Sequence, residues 1–276
     1  MQTLTVGSTS GVARVNGIDI HFQVTDYTDP WEKPQTVLLH HGFARNQRFW
    51  YQWVPLLCRD FRVVTFDSRG MGDTNCPKDY EFNAEDLVTD VIGLMDELGL
   101  DRVHWGSEAS GGIVGVATAL AHPERVASIT TCNTPFKIPK GFLGMFVNEE
   151  VRAHGMGYWA QKTLKGRVDV DKVPQGWIDW TTAEFARADV ETTIAIHELM
   201  KKVDLWEQLP LLKTPLQILV GDRSTIATHE DMKAMSARIP GSRLKVFEGY
   251  GQGVGFMLPE RCVAEMKGFI AALPAA

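Results

Sequence analysis

The chain has 276 residues, of which 44% are hydrophobic and 22% charged, and its formal net charge at pH 7 is −6. That length is enough for one sizeable α/β domain with room for an inserted lobe. The negative charge excludes the basic footprint of a protein that binds nucleic acid or anionic membranes, and no stretch approaches the roughly 20 apolar residues of a membrane span.

Strand and helix patterns alternate along the first hundred residues. Residues 11–25 alternate in polarity around Asn16-Gly17, which predicts a hairpin with a type I′ turn. Residues 37–40 and 61–66 are short apolar runs, typical of strands buried on both faces. Residues 83–98 predict an amphipathic helix capped by Asn83, because one side of it is apolar: Leu87, Val91, Leu94, Met95 and Leu98.

The alternation continues after residue 100. Residues 103–106 predict a strand, residues 110–121 a helix of small residues, and residues 126–132 a further strand. The last two strands are predicted at residues 216–221 and 244–248, and a helical pattern follows each. This order predicts an α/β fold whose mainly parallel sheet is covered on both faces.

The segment 136–209 interrupts this rhythm. It lacks a convincing strand and is rich in large apolar side chains, which include Phe142, Met145, Phe146, Met156, Tyr158, Trp159, Trp177, Trp180 and Trp206. We interpret it as a helical cap inserted into a core formed by residues 1–135 and 210–276. Most of these side chains are expected to form the core of the cap, and some to wall an apolar pocket above the sheet, with Trp159 as a candidate for substrate contact.

Small residues occupy the junction between the strand at 103–106 and the helix that follows. The chain reads Ser107-Glu108-Ala109-Ser110-Gly111 at this point. A strand, a tight turn of small residues and a helix form the layout of a nucleophile elbow, G-x-S-x-G, which lifts a serine above the sheet. Here Ala109 holds the nucleophile position, and a methyl group cannot attack a carbonyl.

The motifs together resemble the α/β-hydrolase superfamily, especially small capped members such as 3-oxoadipate enol-lactonases and related esterases. Besides the elbow, the motifs are His40-His41-Gly42-Phe43, Asp67-Ser68-Arg69-Gly70-Met71-Gly72-Asp73-Thr74, His122-Pro123-Glu124-Arg125-Val126, Thr214-Pro215, Gly221-Asp222-Arg223, Pro240-Gly241 and Pro259-Glu260-Arg261. The resemblance covers nearly the whole chain and implies an α/β-hydrolase fold. It identifies the reaction less closely, because this fold hosts many chemistries.

The resemblance also implies where a Ser-His-Asp triad would lie. The nucleophile position is Ala109. If the alignment is shifted by one residue, Glu108 occupies this position, but the motifs on both sides then no longer match the family pattern. The acid position is Ser224, and the position of the histidine is Gln252. Relatives that carry the acid after the preceding strand would use Asn133 or Thr134, which are not carboxylates either. None of these residues can perform the role of its triad counterpart.

Other groups of the expected site remain usable. By resemblance, the backbone N–H groups of Phe43 and Ser110 form the oxyanion hole, which can polarise a carbonyl or stabilise an enolate. Glu108 beside the elbow is a candidate general base, although structural pairing with an amide or a cation is the simpler interpretation. Tyr250 is a candidate for substrate binding, or it packs in the core.

No metal or nucleotide motif is present, so we expect no cofactor, and the only implied partner is a small molecule. The four cysteines lack metal-type spacing and are interpreted as reduced thiols: Cys58, Cys76, Cys132 and Cys262. The first residues lack the pattern of a secretion signal, which favours the cytoplasm.

Three functions fit these observations. The first is an enzyme that has left the hydrolase mechanism and acts on a small, largely apolar carbonyl compound as an isomerase, lyase, epimerase or cyclase. The second is an ester or lactone hydrolase present as an inactivated variant with alanine in place of serine at position 109. The third is a binding protein that holds a small molecule in the pocket of the hydrolase fold without converting it. The loss of all three triad residues favours the first, since disabling a hydrolase needs only one.

Overall fold

An eight-stranded sheet runs through the centre of the protein. A computed structural model describes residues 6–77, 80–137 and 143–274. The strands, in spatial order, are β1 (Gly7–Val15), β2 (Ile18–Asp26), β4 (Arg62–Phe66), β3 (Thr36–His40), β5 (Val103–Glu108), β6 (Val126–Cys132), β7 (Leu216–Gly221) and β8 (Arg243–Phe247). The six strands from β4 to β8 are parallel, and the β1–β2 hairpin extends the sheet in antiparallel pairing.

Helices cover both faces of the sheet, as the alternating pattern predicts. They are α1 (Val54–Leu57), α2 (Ala84–Glu97), α3 (Ser110–Ala121), α4 (Asn148–Arg167), α5 (Gln175–Ala186), α6 (Val190–Met200), α7 (His229–Arg238), α8 (Val254–Met257) and α9 (Pro259–Ala271). Single 3₁₀ turns lie at Gln47–Gln52, Val170–Lys172 and Leu209–Leu211. One apolar core contains residues of α2, α3 and α7, and a second contains residues of α1 and α9. The α/β-hydrolase fold predicted from the sequence is confirmed.

Local signals account for several element boundaries. Asn16 and Gly17 have φ angles of 47° and 79°, as a type I′ turn requires, and the flanking residues Val15 and Ile18 are paired. The Asn83 side chain caps α2 by accepting a hydrogen bond from the Asp86 N–H.

One strand is longer than its sequence pattern indicated. β5 continues beyond Gly106 through Ser107 and Glu108, because Ser107 pairs with both His40 and Thr131 and Glu108 pairs with Cys132. Pairing with neighbouring strands thus carries two polar residues into the buried part of the sheet, where both are under 2% exposed.

The cap consists of helices. Between β6 and β7 the described residues form α4, α5 and α6, with a kink in α4 at Gly155, and an isolated bridge joins Lys137 to Asp204. Phe142 lies outside the described residues. The inserted helical cap is therefore present, and the domain boundaries at residues 136 and 209 stay a prediction.

Glycine is required where the elbow helix approaches the neighbouring strand. A Cβ atom on Gly111 would lie 2.4 Å from the carbonyl oxygen of His40 and 2.6 Å from that of His41. Both contacts are with backbone, which cannot rotate away as a side chain can. This close approach sets α3 tightly against the end of β3.

Replacing this glycine should therefore destabilise the fold. We expect Gly111→Ala to lower the free energy of unfolding by about 2 kcal/mol or more, since a β-carbon forces the two backbones apart. The matched control is Gly268→Ala in α9, where a Cβ meets nothing within 4 Å and alanine should add about 0.5–1 kcal/mol. Urea denaturation measures both, and equal effects at the two positions would contradict the close-approach argument.

Candidate functional site

The elbow residue Ala109 joins β5 to α3. Its φ of 47° and ψ of −124° place it in a conformation that non-glycine residues rarely adopt. The Ala109 N–H donates to the Cys132 carbonyl over 3.0 Å, and Thr134 Oγ1 donates to the Ala109 carbonyl over 2.7 Å. The strained backbone of a nucleophile elbow is thus held from β6 although the side chain is a methyl group.

The positions of the expected acid and histidine are adjacent. Ser224 follows β7 and Gln252 follows β8, and Ser224 Oγ donates to Gln252 Oε1 over 2.6 Å. Both side chains are buried. The pair thus makes the contact that an Asp–His pair would make, but neither residue accepts a proton near pH 7.

Asn133, one of the two alternative positions for the acid, binds the loop that contains Gln252. The Asn133 carbonyl accepts from Gln252 Nε2 over 3.3 Å, and Asn133 Oδ1 accepts from the Val254 N–H. Asp222, the nearest carboxylate in the sequence, accepts from the N–H groups of Gly249 and Tyr250. Asp222 therefore supports the loop before Gln252.

Glu108 is paired with an arginine that sequence reasoning missed. The carboxylate accepts a hydrogen bond from Arg45 Nη1, and the two side chains form an ion pair that is almost fully buried. The Glu108 carboxylate also lies beside the elbow, because a Cβ on Gly42 would contact both Glu108 Oε2 and the Ala109 methyl group. The cation pairing considered for Glu108 is thus present, in the position where a base would also stand.

A small cavity lies directly above Ala109, and we call it the elbow cavity. It measures about 30 Å³, enough for one or two water molecules. Its lining consists of Phe43, Arg45, Glu108, Ala109, Trp159, Arg167, Phe185, Ile226 and Gln252. The cap supplies Trp159, Arg167 and Phe185, so a substrate has to displace side chains of the cap to reach Ala109.

The structure brings most of the predicted site residues to this cavity, but not Tyr250. The predicted residues that line it are Ala109, Glu108, Gln252, Phe43 and Trp159. Ser224 lies behind them and donates a hydrogen bond to Gln252. The Tyr250 ring instead lies under the Lys172 ammonium group, whose nitrogen is 4.0 Å from the ring centroid.

Arg167 is the second unforeseen arginine. It is 7% exposed and donates to Thr163 Oγ1 and the Ala160 carbonyl, while its guanidinium lies over the rings of Trp159 and Phe185. Burial lowers the pKa of Arg167 to about 9, so it remains a cation at neutral pH. The lining of the elbow cavity therefore includes charged side chains, whereas the composition of the cap predicted an apolar wall.

The expected oxyanion donors flank the elbow. Ser110 begins α3 immediately after Ala109, and Phe43 lines the elbow cavity with its ring packed against Phe146 and Trp159. Their roles as donors to a carbonyl stay a prediction.

A larger apolar cavity of about 290 Å³ lies on the other side of Phe43. Its lining includes Gly42, Ser110, Ile113, Val114 and Met200, and also His40 and His41. Burial lowers the pKa values of His40 and His41 to about 3 and about 4, so both imidazoles are neutral at pH 7.

Comparison with known proteins agrees with the fold. A model of the alpha/beta hydrolase fold family matches residues 35–168. The solved structure of the enol-lactonase from Burkholderia xenovorans LB400 superposes with a TM-score of 0.86 at 24% identity, over 95% of this chain and 100% of that one. The chain therefore has the α/β-hydrolase fold.

Curated relatives of the chain are hydrolases by name. The chain is 24% identical over 253 residues to the candidate carbamate hydrolase RutD of Caulobacter sp., covering 87% of this chain and 92% of the relative. It is 23% identical over 215 residues to 3-oxoadipate enol-lactonase 2 of Acinetobacter baylyi, covering 77% and 80%. The chain therefore has relatives that act on lactones.

The described residues contain neither a membrane-spanning helix nor a cluster of metal-ligating side chains. Within residues 6–77, 80–137 and 143–274, no helix has the length and apolar character needed to cross a membrane. The same residues contain no group of three or more His, Cys, Asp or Glu side chains that could hold a metal ion.

The strain at the elbow can be measured directly. A non-glycine residue in such a conformation costs about 1–3 kcal/mol, so Ala109→Gly should raise the free energy of unfolding by about 1 kcal/mol once the extra chain entropy of glycine is subtracted. Ala119→Gly within α3 is the control and should cost about 1 kcal/mol. If chemical denaturation finds that Ala109→Gly destabilises as much as Ala119→Gly, the elbow is not strained.

Proposed function

We propose that this protein is an enzyme that binds a small carbonyl compound at the elbow cavity and transfers a proton at the carbon next to the carbonyl, without forming an acyl-enzyme. The reaction class is isomerisation or epimerisation. The single observation that carries the proposal is a buried carboxylate, Glu108, beside a strained elbow that bears a methyl group in place of a nucleophile.

Serine hydrolysis has no support from the side chains that line the cavity. Ala109 offers no nucleophile, and Gln252 cannot activate one because a carboxamide does not accept a proton near pH 7. Among the described residues that line the elbow cavity, Glu108 is the sole carboxylate and no histidine is present. Proton transfer by a carboxylate is the acid–base chemistry that this set of residues can perform.

The proposed cycle needs no co-reactant. The Glu108 carboxylate removes the proton from the α-carbon, and the electron pair of that C–H bond moves to the carbonyl oxygen to form an enolate. The N–H groups of Phe43 and Ser110 stabilise the oxyanion, which is the role they have by family resemblance. Glu108 then returns the proton on the same side, either to a conjugated carbon, which gives isomerisation, or to the original carbon after the enolate has turned over in the site, which gives epimerisation.

Arg45 has two effects on Glu108. It pairs with the carboxylate inside a buried site and fixes its position next to the elbow. It also weakens Glu108 as a base, so the reaction suits a substrate whose α-proton is already acidic, such as a keto acid or an unsaturated lactone.

A specific observation favours a second candidate, an ester or lactone hydrolase in inactivated form. The backbone at Ala109 and the Ser224–Gln252 contact reproduce the arrangement of a triad, and the relatives named above include lactonases. In this candidate the natural protein would carry serine, histidine and a carboxylate at these three positions.

Hydrogen–deuterium exchange tests the first candidate. Incubated in D₂O with a panel that includes levulinate and γ-valerolactone, the protein should accelerate loss of the α-proton signals in the NMR spectrum. Glu108→Gln should reduce the exchange rate by about 10²–10⁴-fold, the usual contribution of a general base. Glu108→Asp, which keeps the charge, should retain part of it.

The matched control is Glu184→Gln. Glu184 is also buried and paired, with Arg48 and Asn46, but it does not line the elbow cavity, so exchange should persist. Unchanged exchange in folded Glu108→Gln would contradict the proton-transfer proposal, and ligand binding without exchange would favour a binding protein.

Restoring the triad separates the two candidates. In an inactivated hydrolase, Ala109→Ser with Gln252→His should recover lactone or ester hydrolysis, and Ser224→Asp should increase it, whereas Ala109→Ser alone should do little because triad residues act as a unit. In an enzyme that has left the hydrolase mechanism, the triple variant should hydrolyse lactones and esters slowly, because its pocket is shaped for the transition state of another reaction. A kcat on the order of 1–10³ s⁻¹ for simple lactones would support the hydrolase candidate.

A further inference from the structure

The elbow cavity contains more positive than negative charge. Arg45 and Arg167 both line it and both are 7% exposed, whereas Glu108 is the one carboxylate among its described lining residues. Glu108 neutralises Arg45. No carboxylate of the described residues pairs with Arg167, whose hydrogen bonds go to a hydroxyl and a backbone carbonyl. One buried cation in the site is therefore uncompensated.

An unpaired buried cation is expensive, and the neighbouring rings offset only part of the cost. The Arg167 guanidinium lies 4.7 Å from the Trp159 ring centroid and 4.4 Å from that of Phe185. Contacts of this kind are worth less than the desolvation of a charge. The two guanidinium groups line the same cavity. Burial lowers the pKa of both arginines, and the charge of Arg167 lowers that of Arg45 further.

A second polar group in the same place lacks a partner. Arg45 Nε is buried and has no hydrogen-bond acceptor among the described residues. Buried N–H groups without acceptors are rare in native proteins, so this one needs an explanation, and a water molecule or an anion bound at the cavity would provide it. An incoming anion would satisfy this donor and the charge of Arg167 together.

We infer that the substrate of this site carries a carboxylate group, which binds Arg167 and the free Nε of Arg45 while the carbonyl lies at the elbow. The inference rests on the proposed function for the placement of that carbonyl. Planar guanidinium groups match carboxylates because they donate two parallel hydrogen bonds. The substrate class is thereby narrowed from apolar carbonyl compounds to small keto acids and lactone acids.

Equilibrium binding tests the inference independently of turnover. Isothermal titration calorimetry would compare levulinate with its neutral amide, 4-oxopentanamide, and include acetate, chloride and inorganic phosphate. We expect levulinate to bind at least 10-fold more tightly than the amide, since hydrogen bonds between charged groups contribute about 1.5–3 kcal/mol. Acetate should bind weakly and compete with levulinate.

The informative variant is Arg167→Met, which keeps length and apolar packing but removes the charge. It should weaken levulinate binding at least 10-fold, leave binding of the amide unchanged and keep or raise the melting temperature of the free protein. Arg167→Lys, which keeps the charge, should retain part of the affinity. Arg152→Met is the matched control, because Arg152 lies on the same helix, is exposed and pairs with Glu191.

Each outcome of these measurements is decisive. Equal affinity for levulinate and the amide, stronger binding of chloride or phosphate than of the organic acids, or no binding of any acid would overturn the inference. So would a lower melting temperature of Arg167→Met with unchanged levulinate affinity, which would assign Arg167 a structural role. Selective levulinate binding without α-proton exchange would support the carboxylate site while rejecting the proposed reaction.

Discussion

The turn at Ala109 is the constraint on which the rest of the structure depends. The chain must pass from β5 into α3 within one residue, and a φ of 47° accomplishes this. The turn succeeds only because Gly111 lets α3 approach the carbonyl groups of His40 and His41. That approach brings the loop that contains Phe43, the elbow and the cap side chains to a common point. The conformation of the elbow is therefore held by packing although its side chain is a methyl group.

Electrostatics then decide what the site can do. The lining of the elbow cavity, among the described residues, has no serine hydroxyl and no imidazole, so it lacks the chemistry of a triad. Arg45, Glu108 and Arg167 instead place charges where solvent is excluded. Charges in such surroundings act strongly on a bound molecule because little water screens them. The same low dielectric makes an unpaired cation costly. An anion bound beside Arg167 would offset that cost.

The Ser224–Gln252 contact has a structural role that needs no proton transfer. The hydroxyl and the amide occupy the places of a carboxylate and an imidazole, and their hydrogen bond holds the loops after β7 and β8 together. Asp222 and Asn133 add backbone contacts to the same loop. Position 252 thus retains a structural role that is independent of proton transfer, which is consistent with both a repurposed and an inactivated enzyme.

The sequence by itself determined the order of strands and helices, the elbow register at Ala109 and the occupants of positions 224 and 252. These features depend on local periodicity, on turn residues and on motifs whose members are close in sequence. Only the tertiary structure decided that β5 reaches Glu108, since pairing with β3 and β6 sets its length. The tertiary structure also places Arg45, from the loop after β3, at the same cavity as Arg167, from the end of a cap helix. No periodicity links two such distant residues, because side-chain convergence depends on how the cap packs over the sheet.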